Sequence, residues 1–110
     1  MAGGVLLQSA ATSGNGNEWN CRGQAGEYTL LVNGGGSTIT DGVVQWETAP
    51  ASGQATDWAP LGSPIAVALG TQLQTFIGNP AYVRCRIVTT IAGTGTPTVT
   101  VRMQPPLLWK

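Results

Sequence analysis

Apolar and polar residues alternate in short stretches along the chain, and Gly, Pro and Asn clusters separate the stretches about every ten residues. Alternation with a period of two is typical of β-strands that bury one face, and no window has the spacing of an amphipathic helix. The predicted strands cover residues 5–10, 18–22, 27–32, 42–48, 56–60, 65–69, 72–77, 82–87 and 98–103. We therefore predict an all-β fold, a single antiparallel β-sandwich of about eight short strands with a jelly-roll-like arrangement.

The same alternation predicts which side chains face the core. Gln45 and Glu47 alternate with apolar neighbours and are placed on the opposite face of their strand, with Glu47 in contact with solvent. The positions predicted to face the core are Val83, Cys85, Ile87, Val99, Val101 and Met103. Tyr28, Leu30 and Val32 share one face of their strand, and Val44 and Trp46 share one face of theirs.

The last third of the chain has the clearest strand pattern. Residues 82–87 and 98–103 both alternate, and residues 92–95 between them have the composition of a turn. This arrangement predicts an antiparallel hairpin with one dry and one wet face. Arg84 and Arg86 are placed on the wet face, where they form a small basic cluster with Arg102.

Charged residues are scarce, which narrows the function. The chain has five basic and five acidic residues and no histidine, and charged side chains make up 9% of it. Most reaction chemistry needs a group that titrates near neutrality, a carboxylate pair or a metal cage. Glu47 with Asp57 is the best candidate for a glycosidase pair, but no cleft-forming insertion accompanies them. We predict that the protein is not an enzyme and binds no cofactor or metal.

Length and charge also set the domain organisation and the expected surroundings. With 110 residues we predict one β-sandwich domain over 1–103 and an extended apolar C-terminal tail over 104–110. A net charge of zero argues against nucleic acid as a partner, and no apolar run is long enough for a membrane helix. The first residues lack the basic start of a signal peptide, so we expect a protein made and used without secretion.

Cysteine and tryptophan are the remaining residue types whose side chains are suited to reaction or ligand binding. Without a secretion signal, we expect Cys21 and Cys85 to be two free buried thiols rather than a disulfide. Trp46 and Trp58 are expected to fill the core or its rim, as large aromatic side chains usually do. For Trp19, burial and exposure as a sugar-stacking platform remain equal alternatives.

Four segments carry a resemblance to a known group of proteins. They are residues 43–48, 57–62, 82–89 and 98–101, and together the likeness covers about residues 42–103. These segments resemble the small β-sandwich cement or decoration proteins of tailed-bacteriophage heads. The chain has neither the separate host-binding domain nor the long basic arm that such proteins can carry.

The resemblance implies a structural role on a virion. It implies a protein made in the host cytoplasm that binds the outer capsid surface as a homodimer or homotrimer and bridges copies of the major capsid protein. It brings no catalytic residues with it. The alternative is a carbohydrate-binding or host-adhesion module of a phage tail or fibre, which the four tryptophans and the polar loops favour.

The residues predicted to dock on a partner lie in two places. Leu107, Leu108 and Trp109 follow two prolines at the chain end, and apolar side chains there are a liability unless something covers them. They either fold back over their own sandwich or anchor to a neighbouring copy or the capsid protein. Arg84 and Arg86 are the second candidate. With one lysine in the chain, edge strands have little charge to guard them, which favours self-association.

Overall fold

The computed structural model describes residues 4–11, 14–35, 38–50 and 58–106, and ten strands lie within them. The strands are β1 (Gly4–Ala10), β2 (Gly14–Asn15), β3 (Trp19–Asn20), β4 (Gly26–Gly35), β5 (Ile39–Ala49), β6 (Ala59–Pro60), β7 (Ile65–Ala66), β8 (Gln72–Gly78), β9 (Tyr82–Gly93) and β10 (Thr98–Gln104). The only helical element among these residues is a single 3-10 turn, Val67–Leu69. The predicted all-β fold is confirmed.

The strands form two antiparallel sheets that pack together as a β-sandwich. Sheet I has the order β1-β10-β4-β8. Sheet II has the order β2-β9-β5-β6, with β3 also on β9 and β7 also on β5. Because every pairing is antiparallel, each strand can bury one face in the core and leave the other outside.

Strands from the two halves of the chain pair as if they were the arms of one long hairpin. β1 pairs with β10, β2 and β3 pair with β9, β4 pairs with β8, and β5 pairs with β6 and β7. This folded hairpin alternates between the two sheets along its length. Contacts are therefore long-range, and the two chain ends lie side by side in sheet I.

The core includes the side chains that alternation placed on one face of each strand. Every predicted core position is buried, and Trp46 and Tyr28 are the largest side chains with no exposed surface. Full burial of one such apolar side chain stabilises the fold by roughly 1.5–3 kcal/mol. The core also includes Leu6, Leu7, Cys21, Leu61, Ile65, Val67 and Ile91.

The predicted C-terminal hairpin is wrong. β9 lies in sheet II and β10 in sheet I, so the two strands do not pair, and residues 94–97 cross between the sheets. Their apolar faces meet across the core instead of lying side by side. Arg102 on β10 therefore lies in the other sheet from Arg84 and Arg86, and the predicted cluster of three arginines is wrong. Both arrangements bury the same alternating residues, so the pattern within each strand did not distinguish them.

Several strand boundaries also differ from the prediction. β4, β5 and β9 have 10, 11 and 12 residues, so the central strands are long rather than short. The strand predicted over 65–69 ends at Ala66, because the chain turns into the 3-10 segment and Gly70 follows with a φ of 95°. The strand predicted over 18–22 is reduced to β3, since Arg22 adopts a φ of 53°. Residues 56 and 57 lie outside the described residues.

Gly16 ties one sheet to the other. Its N–H donates to the carbonyl of Cys85 in sheet II at 2.7 Å, and the N–H of Asn17 donates to the carbonyl of Leu6 in sheet I at 2.7 Å. A Cβ at position 16 would overlap the Leu6 oxygen and lie 2.7 Å from the Cys85 oxygen. Only glycine lets the chain pass between the two strands.

Candidate functional site

Charged side chains cluster on the outer face of sheet II. Glu47 on β5 lies directly opposite Arg84 on β9. The Nε of Arg84 donates to Oε1 of Glu47 at 2.9 Å, and the Nε of Arg86 donates to Oε2 at 3.2 Å. Both carboxylate oxygens are therefore engaged by guanidinium groups, which are strong, charge-assisted donors.

Trp58 and the chain that follows it cover part of this cluster. The guanidinium carbon of Arg84 lies 4.2 Å from the centroid of the Trp58 ring, in a cation–π contact. Beside it, Nε2 of Gln45 donates to the carbonyls of Trp46, Leu61 and Gly62. The outer face of sheet II thus has a polar layer with a partial cover.

The exposure of these charged side chains differs from the prediction. Arg84 and Arg86 lie on the outer face, as alternation predicted, but the Arg84 side chain is only 8% exposed. Glu47 was expected in contact with solvent and is buried, with 7% of its side chain exposed. The physical reason is that the ion pair and the Trp58 ring replace water around both charges. Of the two arginines predicted to dock, Arg86 is the accessible one at 41%.

The cluster carries an excess positive charge. One carboxylate lies between two guanidinium groups, so one positive charge has no carboxylate of its own in this contact. Arg86 uses Nε for Glu47 and keeps further guanidinium N–H groups on its exposed side. A carboxylate presented by a partner could therefore bind there.

The chain end is anchored up to its second proline. β10 extends to Gln104, one residue beyond the predicted domain boundary, and stops before the buried Pro105. The carbonyl of Pro106 accepts a hydrogen bond from Nε2 of Gln24 at 2.5 Å, and the Pro106 ring lies against Gly26. The predicted docking residues Leu107, Leu108 and Trp109 lie outside the described residues.

The described tryptophans occupy three different environments. Trp46 is fully buried in the core, where its ring meets Phe76 edge-on with centroids 6.2 Å apart. Trp58 is half-buried at the rim over Arg84. Trp19 is also half-buried, and it packs against the core from β3. The expected positions of Trp46 and Trp58 are confirmed.

Trp19 borders a surface cavity of about 390 Å³. The side chain of Asn20 there donates to the hydroxyl of Tyr82 and accepts from the backbone N–H of Arg22. Polar groups around an aromatic ring are the combination that a sugar-binding surface uses. The cavity is lined by Glu18, Trp19, Asn20, Cys21, Arg22 and Gln24.

Both cysteines are free and buried, as predicted. Burial, with a smaller contribution from the charge of Glu47, raises the pKa of the Cys85 thiol from its usual 9.0 to about 12. Burial also raises the pKa of Cys21, although a hydrogen bond with Tyr28 opposes the shift. Burial likewise raises the pKa of the Tyr28 hydroxyl. These thiols are protonated at neutral pH and are poor nucleophiles.

Candidate chemistry elsewhere is limited. Asp57, the predicted partner of Glu47 in a carboxylate pair, lies outside the described residues. Among the residues that are described, no group of three or more His, Cys, Asp or Glu side chains is arranged to hold a metal ion. Within the same part of the chain, no helix has the length and apolar character needed to span a membrane.

An apolar surface that the alternating pattern does not predict lies along the edge of sheet I. Leu73 and Ile77 on β8 are 69% and 76% exposed, and Leu69 just before the strand is 77% exposed. The glutamines Gln72 and Gln74 alternate with them and are half-buried. The feature of the sequence that indicates this surface is a lack of charge, because no charged residue occurs over 58–83. We call Leu69, Leu73 and Ile77 the β8 apolar edge.

In comparisons with known proteins, the chain matches no family model and no curated protein sequence.

Proposed function

We propose that this protein is a capsid cement protein, which binds the outside of a phage head and stabilises it by bridging capsid subunits. The observation that carries the proposal is a charge-poor β-sandwich with large apolar side chains on its surface, namely the β8 apolar edge. Exposed apolar patches on a small domain mark surfaces for protein partners. Low charge leaves little repulsion between copies packed side by side.

The strand order supports the jelly-roll interpretation. Without β3 and β7, two of the four two-residue strands, each sheet has four strands and the first half of the chain pairs with the second as a rolled hairpin. Jelly rolls occur in viral capsid and lectin domains. Fold alone does not define function, so this supports both the cement role and its alternative.

The proposed partners are the major capsid protein and further copies of this chain, as a homodimer or homotrimer. Arg86 offers an accessible positive charge to an acidic patch on the capsid, and Leu107, Leu108 and Trp109 supply apolar anchors. In this proposal the protein is made in the host cytoplasm and is added to the head from outside. It needs no catalysis, cofactor, nucleic acid or membrane.

The experiment is a reconstitution on phage heads that lack the protein. Purified protein is added, and bound copies are counted and located by electron microscopy. We expect ordered, stoichiometric binding on the outer surface and greater resistance of the heads to heat and osmotic shock. Unchanged resistance with saturating protein, or no ordered density, would contradict the proposal.

The Trp19 cavity favours carbohydrate binding as the second candidate function. The cavity combines an aromatic ring with carboxylate, amide and guanidinium groups. A glycan array with the intact protein tests it, with Trp19→Ala as the matched variant. Binding that Trp19→Ala abolishes would support a host-adhesion module of a tail or fibre, and an array without any signal would remove it.

A further inference from the structure

β8 is an edge strand without the usual protection. It pairs with β4 on one side, and among the described residues no strand pairs with its other side. Alternate residues of an antiparallel edge strand direct both their N–H and C=O groups outward. Proteins normally guard such an edge with charge, proline or a bulge. β8 has no charged residue and no proline, and its register with β4 is unbroken from Gly78 to Gln72.

The sequence of β8 is complementary to itself when it is reversed. Thr75 is the midpoint of the seven residues Gln72–Gly78. An antiparallel pairing centred on Thr75 places Leu73 of each copy directly opposite Ile77 of the other. The exposed leucine and isoleucine then form two apolar cross-strand pairs on the outer face, one on each side of the central pair of threonines.

We propose that β8 pairs with β8 of a second copy of this chain about a two-fold axis at Thr75. The two copies of sheet I then form one continuous eight-stranded sheet. The interface is isologous, so each copy contributes the same residues, as two-fold symmetric interfaces require. A shift by one residue would place exposed Ile77 opposite half-buried Gln72 or Gln74. A shift by two residues keeps the side-chain faces but places Leu73 opposite Thr75 or Asn79 instead of Ile77.

The absence of charge around β8 favours a second copy of this chain as the partner of the edge strand. The whole segment 58–83 is uncharged, so two copies can approach along it without placing like charges together. An electrostatically steered partner would need a charged edge, which β8 does not offer.

The inference deepens the self-association that is part of the proposed function, but it does not depend on a capsid. A pairing of one seven-residue strand is smaller than the usual stable interface of roughly 1,200–2,000 Å². We therefore expect weak association in dilute solution and stronger pairing where copies are concentrated on a surface.

The test is a cysteine at the proposed axis. In Thr75→Cys the two position-75 residues lie opposite each other at a Cα separation of about 4.5–5.5 Å, within the range of a disulfide. We expect mild oxidation of the full-length variant to give a covalent dimer on a non-reducing gel. Thr90→Cys, an exposed threonine on β9 in the other sheet, is the matched control and should stay monomeric. The wild-type thiols are buried and should not cross-link.

Register is tested by two more variants. Leu73→Cys alone should not cross-link, because its own counterpart is displaced by about 14 Å along the strand. An equal mixture of Leu73→Cys and Ile77→Cys should cross-link, because these positions face each other. If Leu73→Cys alone cross-links as fast as Thr75→Cys, contact is random and the proposed register is overturned.

A third set of variants tests whether a charge at the proposed axis weakens the pairing. Thr75→Lys places two lysines opposite each other and should weaken self-association by about tenfold or more in sedimentation, whereas Thr90→Lys should not. A Thr75→Cys protein that stays monomeric at high concentration overturns the inference. A dimer that forms as expected on a protein that does not bind phage heads leaves the inference intact and rejects the cement role.

Discussion

Arg84 and Glu47 are 37 residues apart in sequence and form a buried ion pair, with Nε and Oε1 2.9 Å apart. They face each other because β5 and β9 pair in the centre of sheet II. The pair lies on the outer face of the sheet, beneath Trp58, rather than in the hydrophobic core. Part of the outer face of sheet II is therefore a second buried layer, held by the ion pair and the Trp58 ring.

This layer predicts an unequal response to the loss of its charges. Glu47→Ala should lower the free energy of unfolding by about 3–5 kcal/mol, because Arg84 remains buried without its carboxylate. Arg86→Ala should cost at most about 1 kcal/mol, since its side chain is 41% exposed and water replaces the contact. Urea unfolding of both variants measures the difference. Equal losses would contradict the burial of the Arg84–Glu47 pair.

Cys85 predicts a loss of stability in alkali. In the folded chain the pKa of its thiol is raised from 9.0 to about 12, so the unfolded chain releases this proton first as pH rises. The stabilising contribution is complete below pH 9 and should disappear as pH increases toward 12. Urea unfolding at increasing pH measures this, with Cys85→Ala as the control that should show a shallower decline. An equal decline in both proteins would show that Cys85 is not responsible.

The burial of Cys21 and Cys85 predicts that neither thiol reacts under native conditions. At pH 8 an aromatic disulfide reagent should modify neither Cys21 nor Cys85 in the folded protein, and both should react in denaturant. Release of the coloured thiolate gives the number of reactive groups. Rapid modification of the native protein would mean that one thiol is accessible.

Gly16 predicts a position where one methyl group destabilises the sandwich. Gly16→Ala should cost about 1–3 kcal/mol, because the added Cβ has backbone oxygens from both sheets within overlap distance. Gly35→Ala is the control, since its nearest neighbour is Thr98 Oγ1 at 4.0 Å, and it should change stability by less than about 0.5 kcal/mol. Thermal unfolding distinguishes them. A neutral Gly16→Ala would show that the two sheets can separate locally.

Deletion of residues 107–110 separates docking from folding. Pro105 and Pro106 remain, so the contact with Gln24 is kept and the isolated domain should stay folded. Attachment to phage heads should weaken, because the apolar anchors are lost. Circular dichroism and a head-binding assay are the two measurements. Loss of the fold, with no change in binding per folded molecule, would mean that the tail serves its own sandwich.

Strand existence and strand faces could be predicted because they are local properties. Val83, Cys85 and Ile87 alternate with polar neighbours, and a strand with period two must place all three on one side. Within the candidate site, alternation placed Arg84, Arg86 and Glu47 on the outward faces of their own strands, and the pairing of β5 with β9 brought them onto one face.

Strand pairing and the covering of the outer faces are properties of the folded chain. β9 and β10 lie in different sheets, because their apolar faces can meet across a core as well as side by side. Arg84 is buried because Glu47 and Trp58, both distant in sequence, lie against it. The alternation within each strand could be predicted from the residues alone, since the pleat allows only two faces. Pairing and covering depend on contacts between distant residues, which alternation within a strand does not encode.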